Sequence, residues 1–297
     1  MIPLDDPARD CYYTQLMTDW HVNTDPTVEA EESAVEVSFQ RYQTGSLKRT
    51  AALLAQETAL EIVINGRSHS LLMQTPGRER ELAVGYLFTE GLIEHPSQIG
   101  DLTIIDGGAF FNAKGRRVHI RLPHLESLAD LPPRTALSLS SCGLCGKQDL
   151  EKVGRGLSRI KSRQLFAWTT LMAMVEDLGR HQRLYDLTKG VHAVALYQAD
   201  GAYLCCFEDV GRHNALDKAI GWALEQGLTF KDKLALLSGR ASLEMIIKTV
   251  RAGLPLLLCL SSPTVLAVEA AKSLNLTLIG LRKDGSLGGF SHTRRLK

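Results

Sequence analysis

No apolar run in this 297-residue chain reaches the ~18 residues that a membrane span needs. The first residues, Met1-Ile2-Pro3-Leu4-Asp5-Asp6, hold neither the basic nor the apolar segment of a secretion signal. A cytoplasmic protein with no membrane partner is therefore expected. Net charge is scarce as well: at +1 the chain has no general attraction to nucleic acid or anionic lipid, so any anion site must be local. Cysteine is sparse. Six in the chain, two of them adjacent at Cys205 and Cys206, do not make a disulfide framework and fit a reducing compartment. There is no internal repeat and no low-complexity segment. What remains is an ordinary globular composition, 44% hydrophobic and 23% charged, long enough for about two domains.

Against that background one stretch carries chemistry: Ser140-Ser141-Cys142-Gly143-Leu144-Cys145-Gly146-Lys147. The thiolate is the form of cysteine that attacks sulfur. Lys147, free backbone N–H groups and the start of a short helical stretch at 148–153 all favour negative charge within one turn of the pair. Gly143 and Gly146 let the chain bend around a ligand and leave both sulfurs open to a bulky partner. A C-x-x-C is also half of a tetrahedral zinc site, but no second C-x-x-C or H-x-x-x-H completes it. A thioredoxin-like pair would follow the first strand of a βαβ unit, whereas this one follows Leu131-Pro132-Pro133. Sulfur chemistry on Cys142 or Cys145 leads, and the local sequence does not rank the two.

The rest of the chain frames this loop. Residues 1–46 read as an N-terminal extension, partly disordered, in which Val35-Glu36-Val37-Ser38-Phe39 could add an edge strand. Residues 47–135 read as a small α+β domain. Leu60 to Ile64 and Leu71 to Met73 flank Asn65-Gly66 as a hairpin, and Thr75-Pro76 opens a helix that Gly91 stops. Two further strands follow, at 102–105 and 118–122, with His119 on the solvated face. Residues 136–297 carry the C-x-x-C and then alternate: a helix through Leu171 to Leu178, strands at 191–197 and 202–207, and a helix from Asn214 to Glu225. A strand at 234–237, a helix from Ser242 to Ala252, a strand at 256–260, a helix capped by Ser262-Pro263 and a last strand at 276–281 complete the series. Such alternation predicts an α/β layer on a largely parallel, buried sheet.

Ligands of α/β sheets gather at the carboxyl ends of strands, where the first N–H groups of the next helix point outward. Two such turns combine small hydroxyl residues with a helix start. Ser238-Gly239-Arg240-Ala241-Ser242 adds a guanidinium able to hold a phosphate through two hydrogen bonds, and Ser261-Ser262-Pro263-Thr264 is either a second cradle or a plain N-cap. The polar run Glu208-Asp209-Val210-Gly211-Arg212-His213-Asn214 lies in the same layer; its simpler meaning is an Asp209–Arg212 ion pair with His213 or Asn214 as a cap.

Taken together, Ser141 to Gly146, Glu208 to Lys218, Ser238 to Met245 and Thr264 to Glu269 resemble the FdhD family, the formate dehydrogenase accessory sulfurtransferases. The resemblance runs from about Glu57 to about His292. It implies a cytidine deaminase-like C-terminal domain with a mixed sheet, a smaller N-terminal domain and a homodimer. It also implies a sulfur carrier: persulfide sulfur accepted from a cysteine desulfurase on the C-x-x-C loop and passed to the molybdenum of a bis-molybdopterin guanine dinucleotide cofactor, bound as substrate, before insertion into formate dehydrogenase. By the family pattern Cys142 carries the persulfide and Cys145 assists or resolves. The same pattern sets the cofactor partly on Leu281-Arg282-Lys283-Asp284-Gly285-Ser286, with basic contact from Arg282 and Lys283, since Ser286 replaces an expected arginine. Arg212, His213, Ser238, Arg240, Ser242, Ser261 and Ser262 are the further contacts expected for its guanine nucleotide moiety, and no resident metal is expected.

The implied fold raises one rival, a zinc-dependent nucleobase deaminase. Such enzymes need H-x-E and P-C-x-x-C. Here His192-Ala193 is followed by Val194, and Pro263 by Thr264.

Overall fold

The computed structural model describes residues 33–110, 113–125 and 157–297. The C-x-x-C loop, the helical stretch expected at 148–153 and most of the N-terminal extension lie outside the described residues. The described residues form three sheets, of two, four and six strands.

Strands β1 (Ala34–Gln43) and β2 (Ser46–Ala55) form a free-standing hairpin across Thr44-Gly45, both at positive φ as a two-residue hairpin turn requires. The stretch around Val35 is thus a strand, but it pairs with β2 and joins no larger sheet. The hairpin also spans residue 46, where the extension was expected to end.

β3 (Thr58–Ile64), β4 (Arg67–Gln74), β5 (Asp101–Phe110) and β6 (Ala113–Arg121) make the small sheet in the order β4-β3-β6-β5, with β3 and β6 parallel. The turn at Asn65-Gly66 is the expected one. Asn65 also ties the sheet's end, accepting from the Leu122 N–H at 2.8 Å and donating to the Leu122 and Leu125 carbonyls. Helix α1 (Glu79–Thr89) packs Leu82, Tyr86 and Leu87 on Leu60, Ile62 and Val118 of this sheet. It begins later than expected: Thr75-Pro76-Gly77 is a connection, and Arg78 in the left-handed region precedes the first turn. His119 is half-buried with a buried Nε2, not simply solvated.

The large sheet, order β12-β11-β10-β9-β7-β8, is built from β7 (His192–Gln198), β8 (Tyr203–Asp209), β9 (Lys233–Leu237), β10 (Leu256–Cys259), β11 (Thr277–Leu281) and β12 (Leu287–Ser291). β9, β10 and β11 are parallel, whereas β7 and β12 run against their neighbours, so the sheet is mixed. The strand ending at Leu281 is not the last: β12 turns back on it. On β9, Ala235 and Leu237 point to one face, under α4 (Arg212–Glu225), α5 (Leu243–Ala252) and α6 (Val265–Ser273). Leu234 and Leu236 point to the other, covered by α2 (Trp168–Leu178). The short α3 (Arg183–Thr188) packs beside the hairpin.

The two sheets meet through α1 and α4. The helices cross with no side chain between them at two points. A Cβ on Gly85 would lie 1.8 Å from the Asp217 carbonyl oxygen, and one on Gly221 would lie 1.9 Å from that of Glu81. No L side chain fits either place without parting the helices. Gly85→Ala is therefore expected to cost at least ~2 kcal/mol, read as a lowered midpoint in urea unfolding, while Gly179→Ala, with open space around its Cβ and an ordinary helical φ, is expected to leave the midpoint nearly unchanged.

Candidate functional site

The parallel strands bring most of the expected ligand residues to one edge. His192 opens β7, Arg212 and His213 follow β8, Ser238 to Ser242 follow β9, Ser261 and Ser262 follow β10, and Arg282 to Ser286 follow β11. The turns touch. Ser238 Oγ accepts from the Ala193 N–H at 2.8 Å, and the Thr264 N–H donates to the Ala241 carbonyl at 3.1 Å. A Cβ on Gly239 would come within 3.3 Å of His192 Nδ1 and 3.9 Å of Arg212 Cδ, so glycine lets this turn approach both side chains.

Ser242 is the N-cap of α5 by position, yet its side chain makes no capping bond; its Oγ is buried without a hydrogen-bond partner among the described residues. A plain N-cap would have used that oxygen. The next helix behaves differently. Thr264, not Ser262-Pro263, caps α6 through a bond from the Ala267 N–H at 3.2 Å, leaving Ser262 exposed and Ser261 half-buried at the turn. Leu281 ends β11, and Arg282 to Ser286 form the turn into β12. There Asp284 accepts from the Ser286 N–H and Oγ, at 3.0 and 2.7 Å, and Arg282 lies over the Phe290 ring. Arg240, Arg282 and Lys283 are all exposed at this edge.

The polar run after β8 does not work as expected. Asp209 is fully buried and binds Lys218 Nζ at 2.8 Å, while accepting from the N–H groups of Thr75 and Gly211 and from Asn214 Nδ2. The Asp209–Arg212 pair thus gives way to an Asp209–Lys218 pair. Neither His213 nor Asn214 caps α4, whose N-cap is Gly211. Asn214 instead donates to the Met73 carbonyl at 2.8 Å, and His213 Nε2 lies 3.3 Å from Glu244 Oε2.

Both histidines of the site are held neutral. Burial pushes His213 down to about 3, with Arg212, Lys248 and His192 adding to the effect and Glu90 opposing it. Burial likewise lowers His192, with Arg212 and Arg240 beside it. The His213–Glu244 contact is therefore one of imidazole and carboxylate at neutral pH, not a salt bridge. Two guanidiniums next to two uncharged imidazoles make an edge that attracts anions and opposes a cation such as zinc. Among the described residues no group of three His, Cys, Asp or Glu could hold a metal ion.

Behind the edge sits a charged layer that sequence reasoning did not find. Lys248 lies 2.7 Å from Asp217 Oδ2, 2.8 Å from Thr89 Oγ1 and 3.5 Å from Glu90 Oε1, all buried. Burial raises the Asp217 carboxyl to about 6, with Lys248 and Thr89 holding it down. Burial alone would lower the Lys248 ammonium; Asp217, Glu90 and Glu244 outweigh it, and the net direction is up. Both are charged at neutral pH. Glu244 lay within the Ser238 to Met245 motif, but no role was read for it.

An α/β chain with cations collected at its strand ends, whose sequence also carries a C-x-x-C at 142–145, is the class that fold and sequence define. Residues 55–297 match the FdhD/NarQ family model, and the chain belongs to that family. A relative from Mycolicibacterium paratuberculosis named sulfur carrier protein FdhD is 39% identical over 254 residues, covering 82% of this chain and 91% of its own. Another of that name, from Cupriavidus necator, is 32% identical and covers 88% of this chain and 89% of its own. A crystal structure from Desulfotalea psychrophila, described as a formate dehydrogenase accessory protein, shares the fold at a TM-score of 0.69 and 20% identity, covering 89% of this chain and 99% of that one. No helix among the described residues is long and apolar enough to cross a membrane.

The neutral His213 sets a pH dependence. Its folded value near 3 lies below the ordinary 6.5, so the unfolded chain takes up the proton first. The contribution is complete above pH 6.5 and drains away as pH falls toward 3. Urea midpoints at pH 7 and 4.5 are expected to differ less in His213→Asn than in the wild type; equal differences would show that His213 protonates freely when folded.

Proposed function

We propose that this protein is a sulfur carrier. It accepts sulfur as a persulfide on Cys142 from a cysteine desulfurase and delivers it to the molybdenum of a bis-molybdopterin guanine dinucleotide cofactor, its substrate, before that cofactor enters formate dehydrogenase. The observation that carries this reading is the coexistence, in one FdhD/NarQ chain, of a glycine-flanked C-x-x-C and a strand-end edge where Arg212, Arg240 and the unbonded Ser242 hydroxyl collect. We further read the large mixed sheet as cytidine deaminase-like, the protein as cytoplasmic and the working form as a homodimer. The exposed Phe39, Tyr42 and Leu47 of the β1–β2 hairpin support the last point, since a lone hairpin is marginal in water.

In the first step the Cys142 thiolate attacks the outer sulfur of the donor persulfide; the donor's S–S bond breaks and its cysteine leaves as thiolate. Release of that sulfur as sulfide needs two electrons. Cys145 can supply them. Its thiolate attacks Cys142 Sγ, the outer sulfur leaves with the electron pair toward the metal, and a Cys142–Cys145 disulfide remains for an external dithiol to reduce. The guanine nucleotide ends of the substrate would rest on the helix starts at Arg212-His213 and Ser238 to Ser242, on Ser261 and Ser262, and on the Leu281 to Ser286 turn, with Arg282 and Lys283 as cations. In sequence Cys142 is farther than Cys145 from Lys147 and from the stretch expected to be helical. Local electrostatics would thus favour Cys145 as the more acidic thiol, and the family pattern favours Cys142 as the carrier.

Whole-protein mass after incubation with desulfurase and cysteine separates these roles. Cys142→Ala is expected to lose the sulfur-bearing increase and formate dehydrogenase maturation, while Cys145→Ala keeps the persulfide. Persulfide surviving only in Cys142→Ala would reverse the assignment. For the edge, Arg240→Ala is expected to weaken GDP binding in calorimetry by about 1–3 kcal/mol, the worth of a charge-assisted hydrogen bond; unchanged affinity in the folded variant removes Arg240 from the site. Metal analysis of the purified protein should find no stoichiometric zinc, because a C-x-x-C supplies only two of four ligands.

A further inference from the structure

A second concave site lies at the other end of the parallel strands. Lys231 precedes β9, Arg251 lies in the last turn of α5 with Gly253 just after it, and the segment through Ile160 is tied to the end of α6 by the bond from its N–H to the Leu274 carbonyl. With β9 five residues long, this end is separated from the nucleotide edge by roughly 16 Å of strand. The cavity there has a volume of about 630 Å³, within the range of small-molecule sites.

Its lining is one-sided in charge. Arg159, Lys161, Lys231 and Arg251 surround it, with Glu94 as the acidic exception. None of these four cations forms an ion pair with a described carboxylate, in contrast to Arg80, Arg117 and Lys233 elsewhere. The apolar wall comes from both domains: Phe88 and Ile93 from the end of α1 and beyond, Ile160 and Val250 from the large domain.

Arg251 shows that the site is built rather than incidental. Gly91, at φ +77°, lets the guanidinium lie against its Cα; a Cβ there would stand 2.8 Å from Arg251 Nη1. The Nε of the same side chain is buried without a hydrogen-bond partner among the described residues. That nitrogen has no surface open to the cavity, so a ligand meets the outer end of the guanidinium together with the other three cations. A single carboxylate would leave most of the positive charge unanswered, whereas a diphosphate answers it with several oxygens suited to guanidinium geometry.

We propose that this cavity is a second anion site, specific to a small organic molecule carrying a diphosphate. The diphosphate lies on Arg159, Lys161, Lys231 and Arg251, and the organic part lies against Phe88, Ile93 and Val250. This site is separate from the strand-end edge and stands whether or not that edge binds nucleotide.

Calorimetry with inorganic pyrophosphate on the full chain tests it, in an Arg240→Ala background so that binding at the strand-end edge is weakened. Binding is expected to persist in that background and to weaken at least about tenfold on adding Lys231→Glu with Arg159→Glu, both exposed positions whose change leaves the fold intact. Arg251→Lys, which keeps charge but loses the fork, should weaken it too. Lys48→Glu with Arg49→Glu on the β1–β2 hairpin supplies the same charge change away from the cavity and should leave affinity unchanged. No binding in the Arg240→Ala background, or equal weakening by the hairpin pair, would overturn the proposal.

Discussion

Two ammonium groups buried between the halves of the chain decide how the molecule is put together. Moving a charge out of water costs several kcal/mol unless partners replace the water, and Lys218 and Lys248 each pair with an aspartate of their own half and complete the set with groups from the other. Lys218 bonds Asp209 and the Thr75 carbonyl, and Lys248 bonds Asp217, Thr89 and Glu90. Because Thr75, Thr89 and Glu90 flank α1, neither lysine is satisfied until α1 is seated on α4. The glycine contacts at Gly85 and Gly221 then leave only one depth at which that seating works.

The consequence for the site is positional. Asp209 sits at the end of β8 and Lys218 on α4, so the pair holds the start of α4, with Arg212 and His213, against the connection from β4 to α1. On α5, Lys248 shares its surroundings with Glu244, which in turn faces His213. The groups that line the strand ends are therefore held from below by charges that no solvent reaches. The neutrality of the imidazoles follows from the same surroundings, since cations crowd them and burial removes the water that would stabilise their protonated forms.

Much of this was legible in the chain. Glycine- and serine-rich turns after apolar strands announced the edge, the Asn65-Gly66 hairpin and the helix stops at Gly91 and Gly253 were found where expected, and the motifs at 208–218, 238–245 and 264–269 fall at strand ends and helix starts. The misreadings share a cause, which is that local pattern does not report distant partners. Thr75-Pro76 has the look of a helix start, but its backbone is held by Asp209, 134 residues on. Lys218 closed a family motif with no role read for it and Lys248 drew no reading at all, because nothing near them in sequence says that another helix covers them. β12 escaped notice because Gly288 and Gly289 carry little strand propensity; its place is set by pairing with β11.

The α1–α4 crossing also bears on how the chain reaches this state. Its contacts join residues more than a hundred positions apart, and Thr89 and Lys248 are separated by 159. Contacts of that span form only after a large loop-closure entropy has been met, so topology places them late. Each sheet with its own helices can collapse first on local pairings such as the β3–β4 hairpin. Until the halves dock, two lysines and two aspartates stay hydrated and Gly85 of α1 and Gly221 of α4 are bare. The contacts that bury them also hold the start of α4, with Arg212 and His213, so the strand-end edge of this chain depends on partners more than a hundred positions away.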